Sequence, residues 1–99
     1  MPTALWIAHV EVTDAEAYGR YAKIATEAIT AHGGVFLARG GAHVQLEGRD
    51  RPRNVVARFP SLDAAVACYR SPLYQQGLAH AKGAAVRDLV VVEEVPPAA

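Results

Sequence analysis

The stretch GGVFLARGG, residues 33–41, decides how the rest of the chain is arranged. A short apolar run, VFLA at residues 35–38, lies between two glycine pairs. The first pair is expected to end a helix, because glycine adopts the left-handed conformation that closes a helix without a steric penalty. The second pair allows a strand to bend. The stretch therefore predicts a central strand whose terminal arginine, Arg39, faces a ligand or another subunit.

Length and composition indicate a single folded domain. The 99 residues leave room for one hydrophobic core, which we place within residues 4–95, with residues 96–99 as a frayed tail. Hydrophobic residues account for 52% of the chain and charged residues for 20%, as is typical of a folded soluble domain. The 10 basic and 10 acidic side chains balance. This balance argues against nucleic acid or an anionic membrane as a partner, since either requires a basic excess.

The sequence predicts neither export nor a membrane span. Residues 1–12, MPTALWIAHVEV, lack the basic leader of a signal peptide. No run approaches the roughly 20 apolar residues that cross a bilayer. The single cysteine, Cys68, excludes an internal disulfide and fits a reducing compartment. We therefore expect a cytoplasmic protein.

Alternation of apolar and polar residues predicts the strands. We expect them at residues 4–12, within the glycine-bounded stretch, at 54–59 and at 87–95. Residues 42–47 alternate as well, and they either continue the second strand past a glycine bulge or form a short strand of their own.

Capping residues mark the helices between these strands. Thr13 and Glu16 match a capping box at the start of the first helix, which Gly33 ends. Ser61 is expected to cap the second helix. Ser71 and the proline after it interrupt that helix and start a new segment, because serine caps a helix and proline suits its first turn.

The resulting order, βαββαβ, predicts a ferredoxin-like α+β fold with the helices on one face of an antiparallel sheet. The runs LVVV at 89–92 and VVA at 55–57 are apolar on both strand faces, and such strands are buried on both faces. Since no further helix is available, a second copy of the sheet is the economical cover, which predicts a homodimer that pairs through its sheet faces. The alternative is a monomer with an exposed apolar patch, which soluble proteins of this size rarely show.

Four segments of the chain resemble the domain-of-unknown-function family 1330: AHVEVTDAEAYGRYA, AHGGVFLARGGAHVQLEG, RFPSLDAAVACYRSPLYQ and LVVVE. They occur in this order over nearly the whole chain. The resemblance implies the dimeric α/β-barrel superfamily, whose members pair two ferredoxin-like sheets face to face. That superfamily includes cofactor-free monooxygenases, lactone isomerases, dehalogenase-like proteins and haem-handling proteins, so the resemblance implies an architecture and leaves the reaction open.

Arg39 is the first candidate for a functional residue. Its planar guanidinium can hold a carboxylate or an enolate oxygen through two parallel hydrogen bonds. The alternative is an arginine that pairs with Glu11 or Glu93 across the sheet and holds the dimer together.

His9, Glu11 and His43 are candidates for proton transfer. His9 and Glu11 share one face of the first strand, and His43 follows the glycine bend. A histidine beside a carboxylate can act as a general base near neutral pH. The alternative is a histidine that is hydrogen-bonded at the sheet edge without a role in catalysis. The four histidines show none of the usual metal-ligand spacings, so we predict no metal and no cofactor.

Four tyrosines are expected on or near the inward faces of the helices. Tyrosine rings line small-molecule pockets and use the hydroxyl as a polar contact. As a group flanking Arg39 they suggest a ligand pocket between helices and sheet, whereas for each one alone an ordinary core position is the better interpretation. The four are Tyr18, Tyr21, Tyr69 and Tyr74.

Three hypotheses for function follow. The first is a small homodimeric protein that binds or acts on a small polar or aromatic organic acid without a cofactor. The second is a non-catalytic binding or structural dimer module. The third is a haem- or oxygen-linked protein similar to monooxygenases.

Overall fold

Within residues 2–96, which the computed structural model describes, four antiparallel strands form a sheet with three helices on one of its faces. The strands lie in the order β2-β3-β1-β4. This architecture is the α+β, ferredoxin-like arrangement predicted from the sequence. Residues 97–99 of the predicted tail lie outside the described residues. The elements are β1 (Ala4–Val12), α1 (Ala15–Ala31), β2 (Val35–Arg39), β3 (Arg53–Phe59), α2 (Leu62–Arg70), α3 (Pro72–Ala81) and β4 (Ala85–Glu93).

β1 lies at the centre of the sheet, between β3 and β4, with the bounds predicted from its alternation. Its inward side chains, Ala4, Trp6, Ala8 and Val10, are buried beneath the helices. The alternate residues of β1 face the other side of the sheet, where they are half-buried or exposed. That side, which we call the outer face, therefore carries no helix from the described part of the chain.

The strand within the GGVFLARGG stretch lies at the edge of the sheet, so the predicted central position is wrong. β2 pairs with β3 alone, and its Val35 and Leu37 side chains are 61% and 48% exposed. The physical reason for the edge position is that β2 is short and pairs on one side only. β1 has nine residues and pairs on both sides, whereas β2 has five residues and one neighbour.

Residues 42–47 form no strand, so that prediction is also wrong. Gly40 adopts a left-handed φ of 71°, and its N–H donates to the carbonyl oxygen of Asn54 at 2.9 Å as the last contact of β2 with β3. The chain then leaves the sheet, and Val44 and Leu46 are 80% and 87% exposed. The alternating pattern has no neighbouring strand in this chain with which to pair.

The helix caps agree with the sequence at two of three sites. Ser61 caps α2, and Ser71 accepts from the N–H of Tyr74 while donating to the Cys68 carbonyl, which separates α2 from α3. The cap of α1 is Asp14, whose side chain accepts from the N–H of Ala17 at 3.2 Å. The predicted capping box at Thr13 is therefore wrong, because the backbone N–H of Thr13 is bonded to the Ala84 carbonyl outside the helix.

β4 begins two residues earlier than predicted, at Ala85, and ends at Glu93. Gly83 has a left-handed φ of 75°, and the N–H of Ala84 donates to the carbonyl of Ala81. These two features close α3 early and leave the following residues free to enter the sheet.

Gly33 and Gly34 fix the passage from α1 to β2 for different reasons. Gly33 has a left-handed φ of 83°, as expected for the residue that ends a helix. Gly34 is needed for space, since a Cβ built on it would lie 2.5 Å from Cγ2 of Ile29 and 3.0 Å from the ring of Phe59.

We expect Gly34→Ala to lower the free energy of unfolding by about 1–3 kcal/mol, because the added methyl overpacks a filled site. Gly41→Ala is the matched control within the same stretch, since a Cβ at Gly41 meets no atom within 4 Å. It should change stability by less than about 0.5 kcal/mol. Urea unfolding followed by circular dichroism measures both, and equal midpoints would contradict the packing argument.

Candidate functional site

A cavity of about 310 Å³ lies between α1 and the helix side of the sheet. Apolar side chains such as Trp6 and Val55 form its walls. Its volume falls within the range of small-molecule sites. Four cationic residues also line it: Lys23, Arg39, Arg53 and Arg87. Among the described residues no acidic side chain lines the cavity, so it is strongly positive in a chain whose formal net charge is +0.

The strand register places Arg53 and Arg87 in one row of the sheet. Both pair with Val10 of β1, Arg53 from β3 on one side and Arg87 from β4 on the other. Since Val10 is fully buried on the helix side, both arginines face the helices as well. Their Cα atoms are separated by two strand spacings, roughly 10 Å.

A β-bulge brings Arg39 to the same side. The register of β2 on β3 shifts between Phe36 and Ala38, which leaves Leu37 without a partner. Phe36 and Arg39 therefore both lie opposite inward-facing residues of β3, although strict alternation would have put them on opposite faces. The guanidinium of Arg39 lies over the ring of Phe36, 4.4 Å from its centre.

Arg87 is held by two tyrosine hydroxyls. Its Nη2 donates to the hydroxyl oxygen of Tyr21 at 2.7 Å and to that of Tyr74 at 3.0 Å. The two hydroxyl oxygens are themselves 2.7 Å apart, and the guanidinium lies 4.6 Å from the centre of the Tyr21 ring. Among residues 2–96, no carboxylate forms an ion pair with Arg87.

Burial keeps both tyrosines neutral. Desolvation is the main cause that raises the pKa of Tyr21 far above its usual range, and the neighbouring Tyr74 adds to it. Desolvation also raises the pKa of Tyr74, although the charge of Arg87 opposes this. Burial alone would lower the pKa of Arg87, but its interactions with the two tyrosines, including the hydrogen bond to Tyr74, outweigh burial and raise the pKa. The group therefore consists of one cation and two neutral hydroxyls.

Two donors of the cavity arginines have no acceptor. Nε of Arg53 and Nε of Arg87 are buried and form no hydrogen bond. A buried donor without a partner costs about 1–3 kcal/mol. Gly40 leaves room for the Arg53 side chain, since a Cβ at Gly40 would lie 2.8 Å from Nη1 of Arg53. Both donors are shielded from solvent, so the two arginines contribute to the cavity through their charge.

The structure brings Arg39 together with two of the four predicted tyrosines. Tyr18 and Tyr21 line the cavity with Arg39. Tyr74 lies behind Tyr21 and touches its hydroxyl. Tyr69 lies outside the cavity, is 37% exposed, and packs its ring 5.2 Å from that of Tyr74.

The three proton-transfer candidates lie elsewhere. His9 and Glu11 are exposed on the outer face, and Nδ1 of His9 lies 2.6 Å from Oδ1 of Asn54. His43 lies in the segment that follows β2, with Nε2 at 2.9 Å from Oδ1 of Asp50. None of the three shares the cavity with Arg39. The ion pairs of residues 2–96 also include none between Arg39 and Glu11 or Glu93.

Sequence reasoning missed Arg53 and Arg87. Arg53 falls just before the predicted strand at residues 54–59, and Arg87 is only the first residue of the predicted strand at 87–95. A signal was present, because Arg53 alternates with Val55 and Ala57, and Arg87 alternates with Leu89 and Val91. An arginine on the core-facing parity of a strand needs a partner or a cavity.

Neither a metal cluster nor a membrane helix occurs in the described part of the chain. No three His, Cys, Asp or Glu residues there lie close enough to hold a metal ion. No helix among residues 2–96 is long and apolar enough to cross a bilayer. Cys68 is fully buried, and burial raises the pKa of its thiol to about 11, which suits an inert core thiol.

The family model described as domain of unknown function (DUF1330) matches residues 3–95. The chain belongs to DUF1330. This membership confirms the resemblance seen in the sequence, including that of the segments AHGGVFLARGGAHVQLEG and RFPSLDAAVACYRSPLYQ. No curated protein matches the chain.

Solved structures share the fold of this DUF1330 chain. RPA0582, a protein of unknown function from Rhodopseudomonas palustris, is 22% identical, with a TM-score of 0.78 over 97% of this chain and 85% of that one. SnoaB, a cofactor-independent oxygenase from Streptomyces nogalater, is 12% identical, with a TM-score of 0.63 over 99% and 100%. A dimeric ferredoxin-like protein of unknown function from Thermobifida fusca YX is 18% identical, with a TM-score of 0.63 over 94% and 92%. At these identities the likeness shows the ferredoxin-like fold alone.

We expect the free energy of unfolding to fall as the pH rises above about 10. Tyrosine in an unfolded chain ionises near pH 10, whereas the raised pKa values of Tyr21 and Tyr74 keep both protonated in the folded state. Unfolding then releases protons, so each tyrosine contributes a loss of up to about 1.4 kcal/mol per pH unit.

Urea unfolding at pH 9 and pH 11 measures this loss. The Tyr21→Phe and Tyr74→Phe variants should each show a shallower decline than the unmodified chain. If all three declined equally, the two buried hydroxyls would not be its source.

Proposed function

We propose that this DUF1330 protein is a homodimer that binds a small organic acid in the cavity between α1 and the sheet. One observation carries the proposal: four cationic side chains line a mainly apolar cavity that has no acidic residue among the described ones. An anionic group would supply the missing counter-charge. The apolar walls suit the hydrocarbon body of the acid.

The cavity favours binding of an anion over removal of a proton. Its ionisable side chains are arginines, a lysine and tyrosines, and burial keeps Tyr21 protonated by raising its pKa. Such groups donate hydrogen bonds and stabilise negative charge, which is the arrangement of an oxyanion site. Binding of an anion does not require a general base, such as a histidine on the outer face of a second subunit. The roles of His9, Glu11 and His43 in catalysis therefore stay predictions, as does a cytoplasmic location.

A second candidate is oxygenation of an anionic aromatic substrate without a cofactor. It is favoured by the likeness to SnoaB, which is a cofactor-independent oxygenase. An oxygen electrode separates the two candidates when 2,5-dihydroxybenzoate is the substrate. Consumption of oxygen that depends on the protein would support the oxygenase, and binding without consumption would leave the binding protein.

The outer face supports the dimer. One row across all four strands is apolar, since Ala38, Val56, Ile7 and Val90 pair side by side. Two further outward residues of β4, Val86 and Val92, are about half exposed. A second copy of the same face would bury this row, and the Thermobifida fusca neighbour is dimeric. We propose that the two copies pair through these faces.

We expect Ile7→Asp to convert the dimer to a monomer, because it would place a charge at the centre of the apolar row with no partner. The matched control is Ala67→Asp, since Ala67 is exposed on α2, away from the outer face. Sedimentation at micromolar concentration measures the state of both variants, and circular dichroism verifies that they are folded. A dimeric Ile7→Asp variant would contradict pairing through this face.

We expect Arg39→Ala to weaken the binding of benzoate by about tenfold or more, since hydrogen bonds to charged groups contribute about 1.5–3 kcal/mol. Benzamide has the same shape without the charge, so its affinity should change little. Arg70→Ala is the control, because Arg70 is exposed on α2 outside the cavity. Isothermal titration calorimetry gives the dissociation constants. An unchanged affinity for benzoate in a folded Arg39→Ala variant would remove Arg39 from the site.

A further inference from the structure

We infer that Tyr21 donates its hydroxyl proton into the cavity, and that beside the charge of Arg87 it forms the subsite for one anionic oxygen of the ligand. The inference deepens the proposed function and rests on it for the nature of the ligand. The direction of the hydrogen bond between the two tyrosines, however, can be argued and tested without any ligand.

The group formed by Tyr21, Tyr74 and Arg87 carries one hydroxyl proton that no atom within the group accepts. Arg87 is a donor only and accepts nothing. Each tyrosine hydroxyl carries one proton, because burial keeps both neutral by raising their pKa values. The single hydrogen bond between the hydroxyls of Tyr21 and Tyr74, 2.7 Å long, uses one of these two protons. The other proton finds no acceptor within the three-residue group.

The burial of Tyr74 decides which of the two hydroxyls keeps the unused proton. Tyr74 is fully buried and does not line the cavity. Its ring is enclosed by those of Trp6, Tyr21 and Tyr69, and its hydroxyl touches Tyr21 and Arg87 and no other polar group among the described residues. An unused proton on Tyr74 would thus be buried without an acceptor, at a cost that structures rarely bear.

Tyr21 is the better holder of this proton because its side chain lines the cavity. Tyr74 then donates to Tyr21, and the oxygen of Tyr21 accepts from both Tyr74 and Arg87. A hydroxyl that accepts two hydrogen bonds becomes a stronger donor, since chains of hydrogen bonds polarise one another. Tyr74 is therefore a positioning residue that directs the proton of Tyr21.

The lining of the cavity offers little that could accept the proton of Tyr21. The charged residues that line the cavity can only donate, and the hydroxyl of Thr26 already donates to the carbonyl of Ala22 at 2.8 Å. The cavity therefore supplies donors and very few acceptors. The guanidinium of Arg87 contacts the hydroxyl of Tyr21 and adds its positive charge at this end of the cavity. A carboxylate or another oxyanion here would accept the proton of Tyr21 and offset that charge.

Nuclear magnetic resonance of the hydroxyl protons tests the direction without a ligand. A proton on Tyr74 that is bonded to Tyr21 is buried and should exchange slowly enough with water to give a resolved signal, whereas the proton of Tyr21 faces the cavity and should exchange fast. Tyr74→Phe should abolish the slow signal, and Tyr69→Phe should keep it. A slow signal that persists in Tyr74→Phe and disappears in Tyr21→Phe would overturn the inference.

Titration with benzoate tests the subsite itself. Tyr21→Phe should raise the dissociation constant about 10- to 100-fold, as expected for loss of a hydrogen bond to a charged group. Tyr69→Phe should leave it unchanged, and Tyr74→Phe should raise it less than Tyr21→Phe, because the proton of Tyr21 is still present. Equal affinities in Tyr21→Phe and the unmodified chain would overturn the subsite alone. If the unmodified chain bound no benzoate, the proposed function would fail, while the hydroxyl signals would still decide the direction.

Discussion

The site depends on a half-buried cation, Arg87, that no carboxylate among residues 2–96 neutralises. Arg87 lies on the core side of β4, where a charge is costly unless it is hydrogen-bonded. Tyr21 and Tyr74 provide those bonds, and both hydroxyls are neutral. A neutral acceptor satisfies the donor geometry of a guanidinium but leaves its charge in place. Had an aspartate filled this position, the arginine would be equally well held, and the cavity would have lost much of its attraction for an anion.

The two faces of the sheet have different roles, and the charge of Arg87 lies at the cavity on the inner face. The helices cover the inner face, where the aromatic cluster around Trp6 encloses Tyr74. The cavity remains where α1 passes over the row that contains Arg53 and Arg87. The outer face carries a row of apolar residues, so association with a second copy would use a surface separate from the ligand site. Assembly and binding can therefore be altered independently.

The sequence predicts the architecture well because local rules determine it. β1, the serine caps and the order of elements follow from alternation and from hydrogen-bonding side chains at helix ends. The central placement of β2 failed because the pattern of a strand shows that it pairs, but not with how many neighbours. The strand predicted at residues 42–47 does not form for a related reason. Alternation is necessary for a half-buried strand, but the segment also needs a neighbouring strand with which to pair. Tyr21, Tyr74 and Arg87 lie on three different elements, and no local sequence pattern indicates that their side chains are in contact.

The bulge at Leu37 shows how the family could change its chemistry without changing its side chains. Because one unpaired residue reverses the parity of β2, regular pairing of the same five residues would set Arg39 opposite Asn54 and turn its guanidinium towards the outer face, whereas loss of Leu37 together with the bulge would leave it on the helix side. The strand would still pair with β3. Related chains should therefore be compared by the length of this strand and by the presence of the bulge before they are compared by composition, since the two together determine the face on which the charge lies.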